Sequence, residues 1–413
     1  MSDGMNGRMC LRDSLLGVGP VARRVATLLP CAMLFALACR GPMKAVKSLG
    51  TVMEGTGKPA ASKEARVRRD PVGVASRTFE DASRGRRLVT TIWYPAVRGT
   101  VEDDIDWDGI FPGRAAWNAR PVSSPRRLPL VLLSHGSGGD ASNLAWLAEP
   151  LATRGYIVAG VNHPGDQFGD VSVEGRYASW RRPRDVSVML SRLLQDPTFG
   201  PRIDARRIAA IGHSGGGATV LLLAGARIRP ADFLAYCNGP HPTPDCSYIR
   251  GVRPDSIPDL SESERSYRDR RIRAVVAMDP VFGPAATARS LRSITIPVEI
   301  IATPTDEIAP FAYNAERYAR LIPHARLVTI PQGGHFVFMP VCSPAGVIVA
   351  AEVCVEPNTD VDRAAVHQEA VQRIKEFLGR VLGTRGGRAR RGPTRPPAHA
   401  PSTGARPAGH DRS

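Results

Sequence analysis

The chain has 413 residues, 43% of them hydrophobic, which is enough for one α/β domain of roughly 300 residues with appendages. Its net charge of +16 would be typical of a nucleic-acid-binding protein, but seven arginines and one aspartate in residues 385–413 supply +6 of that charge. This stretch is rich in Pro, Gly and Ala, and no nucleic-acid recognition motif accompanies it. We therefore exclude a specific nucleic-acid partner and predict that residues 383–413 form a disordered basic tail.

The N-terminal region is typical of a targeting segment. Two arginines precede the apolar stretch of residues 25–38, which is short for a membrane span and ends in the small-x-small pattern Ala-Leu-Ala. We predict a signal peptide over residues 1–38, a flexible linker over residues 39–69, and an exported protein. Because Cys39 follows the cleavage pattern directly, two forms stay open: a secreted or periplasmic protein, and one tethered to the membrane through a lipid on Cys39.

Strands and helices alternate through the rest of the chain. This order predicts an α/β fold for residues 70–382, with a mostly parallel, doubly wound sheet covered on both faces. Residues 228–271 are rich in Pro and charge and fit no strand position, so we predict a small cap or lid insertion there. Strands are predicted in residues 70–96 (two), 128–134, 156–161, 207–211, 274–278, 298–302 and 326–330, and helices in residues 144–154, 184–195, 218–224, 314–321 and 361–382.

The sequence IGHSGGG at residues 211–217 places one serine among glycines, between a short β-branched run and an apolar helix. Residues 212–216 match G-x-S-x-G, a pattern in which the serine occupies a sharp strand-to-helix turn and the glycines allow strand and helix to approach closely. The pattern predicts that Ser214 is a nucleophile.

A serine hydroxyl needs a general base and an orienting carboxylate to act as a nucleophile at neutral pH. His335 lies on a Gly-rich loop after a predicted strand and is our candidate base. Asp306, a few residues past a buried strand, is our candidate acid. Asp279, at the end of the preceding strand, is the alternative acid, and Glu307 is a third candidate.

A tetrahedral intermediate also needs two N–H donors for its oxyanion. We predict the amide of Gly215, the residue after the nucleophile, and the amide of Ser137 in the loop SHGSGG, with Gly136 as the next candidate. His135 is expected to brace this loop. His163 has no matched partner in the sequence and is interpreted as part of the loop structure.

Four cysteines follow the leader region, and all four lie in predicted loops. Their even number and spacing predict two local disulfides, Cys237–Cys246 and Cys342–Cys354, although four cysteines allow three pairings and also four reduced thiols. No tight Cys/His cluster is present in the sequence, so we predict no metal site.

Several blocks of the chain, among them LPLVLLSHGSGG, VNHPGDQFGD, RRPRDVSVMLSRLL and IAAIGHSGGGAT, together resemble the α/β-hydrolase superfamily. Within it, residues 70–382 resemble the dienelactone-hydrolase-like group related to platelet-activating factor acetylhydrolase and to bacterial polyester hydrolases. The resemblance implies hydrolysis of a small-molecule, lipid or polyester ester through an acyl-enzyme, with no metal and no cofactor.

The chain departs from the resemblance at its nucleophile, and two further points stay open. True dienelactone hydrolases use a cysteine where this chain has Ser214, which shifts the expectation toward esters. The acetylhydrolase resemblance favours Asp279 as the acid, whereas the polyester-hydrolase resemblance favours Asp306. The alternative functions are a non-catalytic binding protein on a hydrolase fold and a lipase or peptidase of the same fold.

Overall fold

The fold is known from a computed structural model that describes residues 70–240, 242–357 and 360–383. The predicted signal peptide, the linker with Cys39, and the basic tail from residue 384 onward lie outside these residues. Within the described ranges, no helix is both long and apolar enough to cross a membrane.

A ten-stranded sheet forms the centre of the described chain, with a separate two-stranded ribbon, β7–β8, beside it. The strand order across the large sheet is β12-β11-β10-β9-β5-β6-β2-β1-β4-β3. Its strands are β1 Val72–Asp81, β2 Arg86–Pro95, β3 Asp103–Trp107, β4 Phe111–Trp117, β5 Leu128–Ser134, β6 Ile157–Val161, β9 Ile203–His213, β10 Ala274–Met278, β11 Val298–Ala302 and β12 Arg326–Thr329; the ribbon is β7 Asp166–Gln167 and β8 Asp170–Val171.

Six neighbouring strands, from β12 to β6 in that order, run parallel. Parallel neighbours need long crossover connections, which are usually helices packed on the faces of the sheet. The helices are α1 Ala145–Ala152, α2 Val173–Tyr177, α3 Arg181–Gln195, α4 Gly215–Ala224, α5 Pro230–Cys237, α6 Ala288–Arg292, α7 Ala315–Leu321, α8 Pro344–Val349, α9 Ala351–Cys354 and α10 Arg363–Leu382.

The two faces of the sheet carry two separate hydrophobic cores. Along β5, Leu130 and Leu132 join the core that contains α3 and α4, whereas Val131 and Leu133 join the core that contains α1 and α10. This alternation follows from the two-residue period of a strand, and burial on both faces explains why the strand is a continuous apolar run. Each such side chain contributes roughly 1.5–3 kcal/mol when it is buried. The α/β fold class predicted from the sequence is confirmed.

The predicted strands at residues 128–134, 274–278 and 298–302 are confirmed with the same bounds. The strand predicted at residues 207–211 is longer, because it begins at Ile203, whose partner across the sheet is Leu128. The β3–β4 hairpin was not predicted: β3 has the sequence DDIDW, which is too acidic for a typical strand and lies partly exposed near the sheet edge.

The segment of residues 228–271 contains α5 and three short 3₁₀ turns, and none of its described residues belongs to a named strand. Both predicted disulfides are confirmed: Cys237–Cys246 ties the end of α5 to the next turn, and Cys342–Cys354 joins α9 to the loop before α8. The amide of Asp245 donates to the carbonyl oxygen of Ile308 (3.1 Å), which joins this segment to the loop after β11.

Candidate active site

Ser214 lies in the turn between β9 and α4 with φ +55° and ψ −120°, a conformation that costs free energy for a residue with a side chain. The flanking glycines explain how the turn closes. A Cβ at Gly212 would lie 2.1 Å from the carbonyl oxygen of Gly216, and one at Gly216 would lie 1.8 Å from that of Ser134. Neither position has room for a side chain, so the glycines allow the turn to hold the serine at the sheet edge.

Ser214, His335 and Asp306 form one hydrogen-bonded series. His335 Nε2 lies 2.8 Å from Ser214 Oγ, and His335 Nδ1 lies 2.7 Å from Asp306 Oδ2. The other carboxylate oxygen, Asp306 Oδ1, accepts the backbone N–H groups of Ile308 (2.8 Å) and Ala309 (2.7 Å). Because the carboxylate is held on both oxygens, its acceptor toward Nδ1 is fixed, and this leaves Nε2 as the acceptor for the serine hydroxyl.

The backbone of His335 makes two hydrogen bonds. Its carbonyl oxygen lies 3.0 Å from Nε2 of His213, and the amide of His335 donates to Glu307 Oε2 at 3.0 Å. Burial lowers the pKa of His213 well below its ordinary value, and the neighbouring His335 lowers it further. Glu307, the third candidate acid of the sequence, therefore binds backbone amide rather than the imidazole.

Asp279, the alternative acid, lies at the end of β10 with φ +36°. Its carboxylate accepts the amide (2.9 Å) and the hydroxyl (3.1 Å) of Thr303. Burial raises the pKa of Asp279 well above its ordinary value, and the nearby carboxylate of Asp306 raises it further. Asp279, Asp306 and His335 offer ligand atoms within 4.8 Å of one another, but the hydrogen bond between Nδ1 and Oδ2 already engages two of these groups.

The loop after β5 approaches the serine turn closely. A Cβ placed on Gly215 would lie 3.5 Å from the amide nitrogen of Ser137, so the two residues that carry the predicted donors are close neighbours. In the part of the chain that the structure describes, neither amide has a hydrogen-bond acceptor. A Cβ placed on Gly136 would lie 3.5 Å from the Cβ of Ser214.

His135 and His163 are hydrogen-bonded to each other next to this loop, and His135 also contacts the loop itself. His135 Nδ1 lies 2.7 Å from the carbonyl oxygen of Gly136, and its Nε2 accepts the amide of His163 (3.2 Å). The expectation that His163 lacks a matched partner is wrong. Its Nε2 lies 2.9 Å from Ser134 Oγ and its Nδ1 lies 3.0 Å from Asp185 Oδ2, so it belongs to a second Ser-His-Asp series, which is fully buried.

A pocket of about 370 Å³ opens in front of Ser214. Ser137, Gly215 and His335 belong to its lining, and the segment of residues 228–271 contributes part of its wall. Most of the exposed lining surface is apolar and includes Ile249, Val281, Phe282, Phe336 and Met339, and charged side chains such as Arg176, Asp245 and Glu352 also line it. Such a cavity suits a ligand with an apolar body and polar groups.

The sequence analysis missed two charged residues at this site, Arg182 and Asp166. Arg182 is 2% exposed and Asp166 is 3% exposed, and both line the pocket behind the loop of Ser137. A signal was present in the sequence, because Arg182 and Asp185 fall on the same face of α3 as the buried Met189. Charged residues on the buried stripe of an amphipathic helix need partners, and those partners lie far away in sequence.

The model of the Alpha/beta hydrolase family matches residues 130–352, more than half of the chain. The chain belongs to the alpha/beta hydrolase family. The matched range covers most of β5, the serine turn, both candidate acids and His335. It leaves out β1 to β4 and the first two residues of β5. At the other end it leaves out the last two residues of α9 and all of α10.

Two curated proteins resemble parts of this alpha/beta hydrolase. Cutinase est1 of Thermobifida alba is 27% identical over 197 residues, which is 47% of each chain. The platelet-activating factor acetylhydrolase of Cavia porcellus is 28% identical over 148 residues, 26% of this chain and 34% of that protein. The alpha/beta hydrolase thus spans about half the length, or less, of these curated relatives.

A solved structure supports the fold over a larger share of the chain. The ferulic acid esterase from Streptomyces cinnamoneus superposes with a TM-score of 0.55 at 23% identity, covering 78% of this chain and 94% of that chain. At this identity the similarity establishes the fold alone.

Proposed function

We propose that this alpha/beta hydrolase is an exported serine hydrolase that cleaves carboxylic esters through an acyl-enzyme. The observation that carries the proposal is the series Ser214–His335–Asp306, with distances of 2.8 and 2.7 Å, whose serine and histidine line a pocket with a mostly apolar surface. The names of the similar proteins, a cutinase and an acetylhydrolase, agree with this chemistry.

In the first half of the reaction, Ser214 Oγ attacks the ester carbonyl carbon while His335 Nε2 takes its proton. Asp306 accepts the Nδ1–H and so keeps Nε2 free to receive that proton and stabilises the imidazolium that forms. The amides of Ser137 and Gly215 donate to the carbonyl oxygen as it becomes negatively charged. His335 then returns the proton to the departing alcohol, and the acyl group stays on Ser214.

In the second half, water replaces the alcohol. His335 Nε2 takes a proton from the water as it attacks the acyl carbon, the same amides stabilise the second oxyanion, and His335 protonates Ser214 Oγ as the acid leaves. One ester and one water give one acid and one alcohol, and the side chains return to their starting states.

The pocket bounds the substrate class. A lining that includes Ile249, Phe282 and Met339 favours an uncharged ester with an apolar acyl or alcohol part, from a small molecule, a lipid or a polyester. The two disulfides are typical of proteins from oxidising compartments and support export, either as a free protein or tethered through Cys39.

The test is a panel of p-nitrophenyl esters of increasing acyl length, with release of p-nitrophenol followed for the parent and for Ser214→Ala. We expect turnover by the parent alone, with an optimum chain length set by the pocket. Mass spectrometry of the quenched parent should locate the acyl group on Ser214. A parent that stays folded and hydrolyses no ester, or an acyl group on another residue, would contradict the proposal and favour a binding protein on this fold.

A further inference from the structure

Behind the proposed oxyanion hole lies an ion pair that the triad chemistry does not use. Arg182 Nη1 lies 2.6 Å from Asp166 Oδ2, and the two side chains are 2% and 4% exposed. The second guanidinium nitrogen, Nη2, donates to the carbonyl oxygen of His135, the first residue of the loop that contains Ser137. The pair therefore contacts this loop directly.

Asp166 holds the same loop at its centre. Its Oδ1 accepts the hydroxyl of Ser137 at 2.6 Å and the amide of Gly138 at 3.0 Å, while its Oδ2 accepts Arg182. One carboxylate thus fixes the side chain of Ser137 and the backbone amide of the next residue, both close to the proposed donor, the amide of Ser137. Gly138 has φ +74°, a conformation that glycine adopts without strain.

The guanidinium of Arg182 also lies close to Gly215. A Cβ placed on Gly215 would lie 3.2 Å from Arg182 Nη1 and 3.5 Å from the amide nitrogen of Ser137. The charge of Arg182 therefore lies close to both residues that carry the proposed oxyanion donors. In the described part of the chain, Arg182 Nε is buried without a hydrogen-bond partner, so Asp166 and His135 do not use all of its donors.

We propose that Arg182 and Asp166 are positioning residues for the oxyanion hole, an inference that rests on the proposed ester hydrolysis. Asp166 aims the amide of Ser137 by holding the hydroxyl of the same residue and the amide of the next one. Arg182 fixes Asp166 and adds positive potential where the carbonyl oxygen gains negative charge during the reaction.

The cost of the pair supports a functional role. Burial lowers the pKa of Arg182 from its ordinary value, and Asp166 partly opposes this. A buried ion pair loses so much hydration that well-packed apolar side chains of similar size are often at least as stabilising. Two apolar residues could thus fill the same space behind the loop, but they could neither aim its amides nor supply charge.

The experiment compares Asp166→Asn and Arg182→Lys with the parent, using the best p-nitrophenyl ester and an alkyl boronic acid that forms a tetrahedral adduct with Ser214. We expect kcat to fall about 100-fold in each variant while KM changes less than about threefold, because the donors act on the transition state. Affinity for the boronic acid should fall in parallel with kcat/KM, because the adduct carries the oxyanion.

Arg181→Gln is the matched control, since Arg181 is the neighbouring arginine of α3 and its partner Asp259 lies in the segment of residues 228–271, away from the serine turn. Its kcat should equal that of the parent. If Asp166→Asn or Arg182→Lys fails to fold, Ser137→Ala removes only the hydroxyl that binds Asp166, and kcat should fall about tenfold with KM retained.

Two outcomes would overturn the positioning role of Arg182 and Asp166, and a third would overturn the proposed function as well. Parental kcat and boronic acid affinity in folded Asp166→Asn and Arg182→Lys would overturn the positioning role alone. Equal losses in the Arg181→Gln control would also overturn it, because the effect would then be general destabilisation. A parent that hydrolyses no ester would overturn the proposed function itself and this inference with it.

Discussion

Two serine–histidine–aspartate series lie at the carboxyl ends of the neighbouring strands β9 and β5. In the first, His335 lies 2.8 Å from Ser214 and 2.7 Å from Asp306. In the second, His163 lies 2.9 Å from Ser134 and 3.0 Å from Asp185. By residue type and distance the two are nearly the same, and yet we assign chemistry to one of them only.

The surroundings distinguish them. Ser214 faces the pocket from a turn with positive φ, next to two amides that have no acceptor among the described residues. Ser134 is the last residue of β5, and Ser134, His163 and Asp185 have no exposed surface. A substrate carbonyl can reach the first serine but not the second. Access and oxyanion donors, rather than the three side chains alone, therefore make a serine a nucleophile.

The two carboxylates also differ in what holds them. Asp306 Oδ1 accepts two backbone amides, whereas Asp185 is bound by the guanidinium groups of Arg84 (2.7 Å) and Arg86 (2.7 and 2.8 Å). Burial opposes ionisation of Asp185, but the hydrogen bonds from His163 and Arg86 outweigh it and lower its pKa. The second series is thus an ion-paired core that ties β2 and α3 to the loop after β6.

Removing each serine hydroxyl gives the sharpest contrast. Ser214→Ala should lower kcat by about 10⁵-fold to 10⁶-fold without loss of stability, because a triad without its nucleophile retains only binding and oxyanion stabilisation. Ser134→Ala should keep kcat within about threefold but lower the free energy of unfolding by about 1–3 kcal/mol, since His163 Nε2 loses its donor in the core. Ester turnover and urea unfolding of both variants measure this. A large loss of kcat in folded Ser134→Ala would erase the distinction.

The two candidate acids of the first series can be separated in the same way. Asp306→Asn should lower kcat by about 10⁴-fold, because an amide no longer selects the tautomer with a free Nε2. Asp279→Asn should change kcat less than about tenfold, since the raised pKa of Asp279 favours a neutral group there already. The pair of kcat values decides the acid, and the reverse order would assign it to Asp279.

Asp185→Asn should act on stability instead. Breaking the buried contacts with Arg84 and Arg86 leaves two guanidinium groups without their shared partner, and we expect the free energy of unfolding to fall by about 3–5 kcal/mol. Asp259→Asn, which removes the more exposed partner of Arg181, should cost about 1 kcal/mol or less. Urea midpoints measure both, and kcat per folded molecule should stay parental. Equal midpoints for the two variants would show that the Asp185 cluster is not a stabilising core.

Sequence reasoning found the first series because each member follows a strand in a local pattern of its own: a glycine-flanked serine, a glycine-rich histidine loop and an aspartate past a buried strand. It could not decide between Asp306 and Asp279, because both follow buried parallel strands at the same sheet edge. The difference lies in the direction of the side chains, and Asp279 turns toward Thr303.

The second series was missed for a different reason. Its contacts join residues far apart in the chain, such as Arg84 and Asp185, which are 101 positions apart. No local pattern marks such a pair, and only a charged residue on the apolar stripe of α3 hinted that partners existed. Arg182 and Asp166 are only 16 positions apart, but no local pattern marks them either, because their meeting depends on how the loop after β6 folds back over α3.

The histidine of the second series also makes stability depend on pH. Burial lowers the pKa of His163 to about 4, with the charge of Arg182 acting in the same direction. Between about pH 6.5 and pH 4 the unfolded chain binds a proton at this histidine that the folded chain does not, so stability falls as the pH falls through that window, by at most about 3 kcal/mol. His163→Asn keeps a donor toward Asp185 but does not titrate, and it should flatten the fall in the free energy of unfolding between pH 7 and pH 4.5.

His367 is the matched control. Burial also lowers its pKa to about 4, so it should contribute an equal pH dependence of stability, which His367→Asn removes independently. If His163→Asn leaves the pH dependence of the unfolding free energy unchanged while His367→Asn reduces it, His163 has the same pKa in the folded and the unfolded chain. The second series would then not be a core with a buried, neutral histidine.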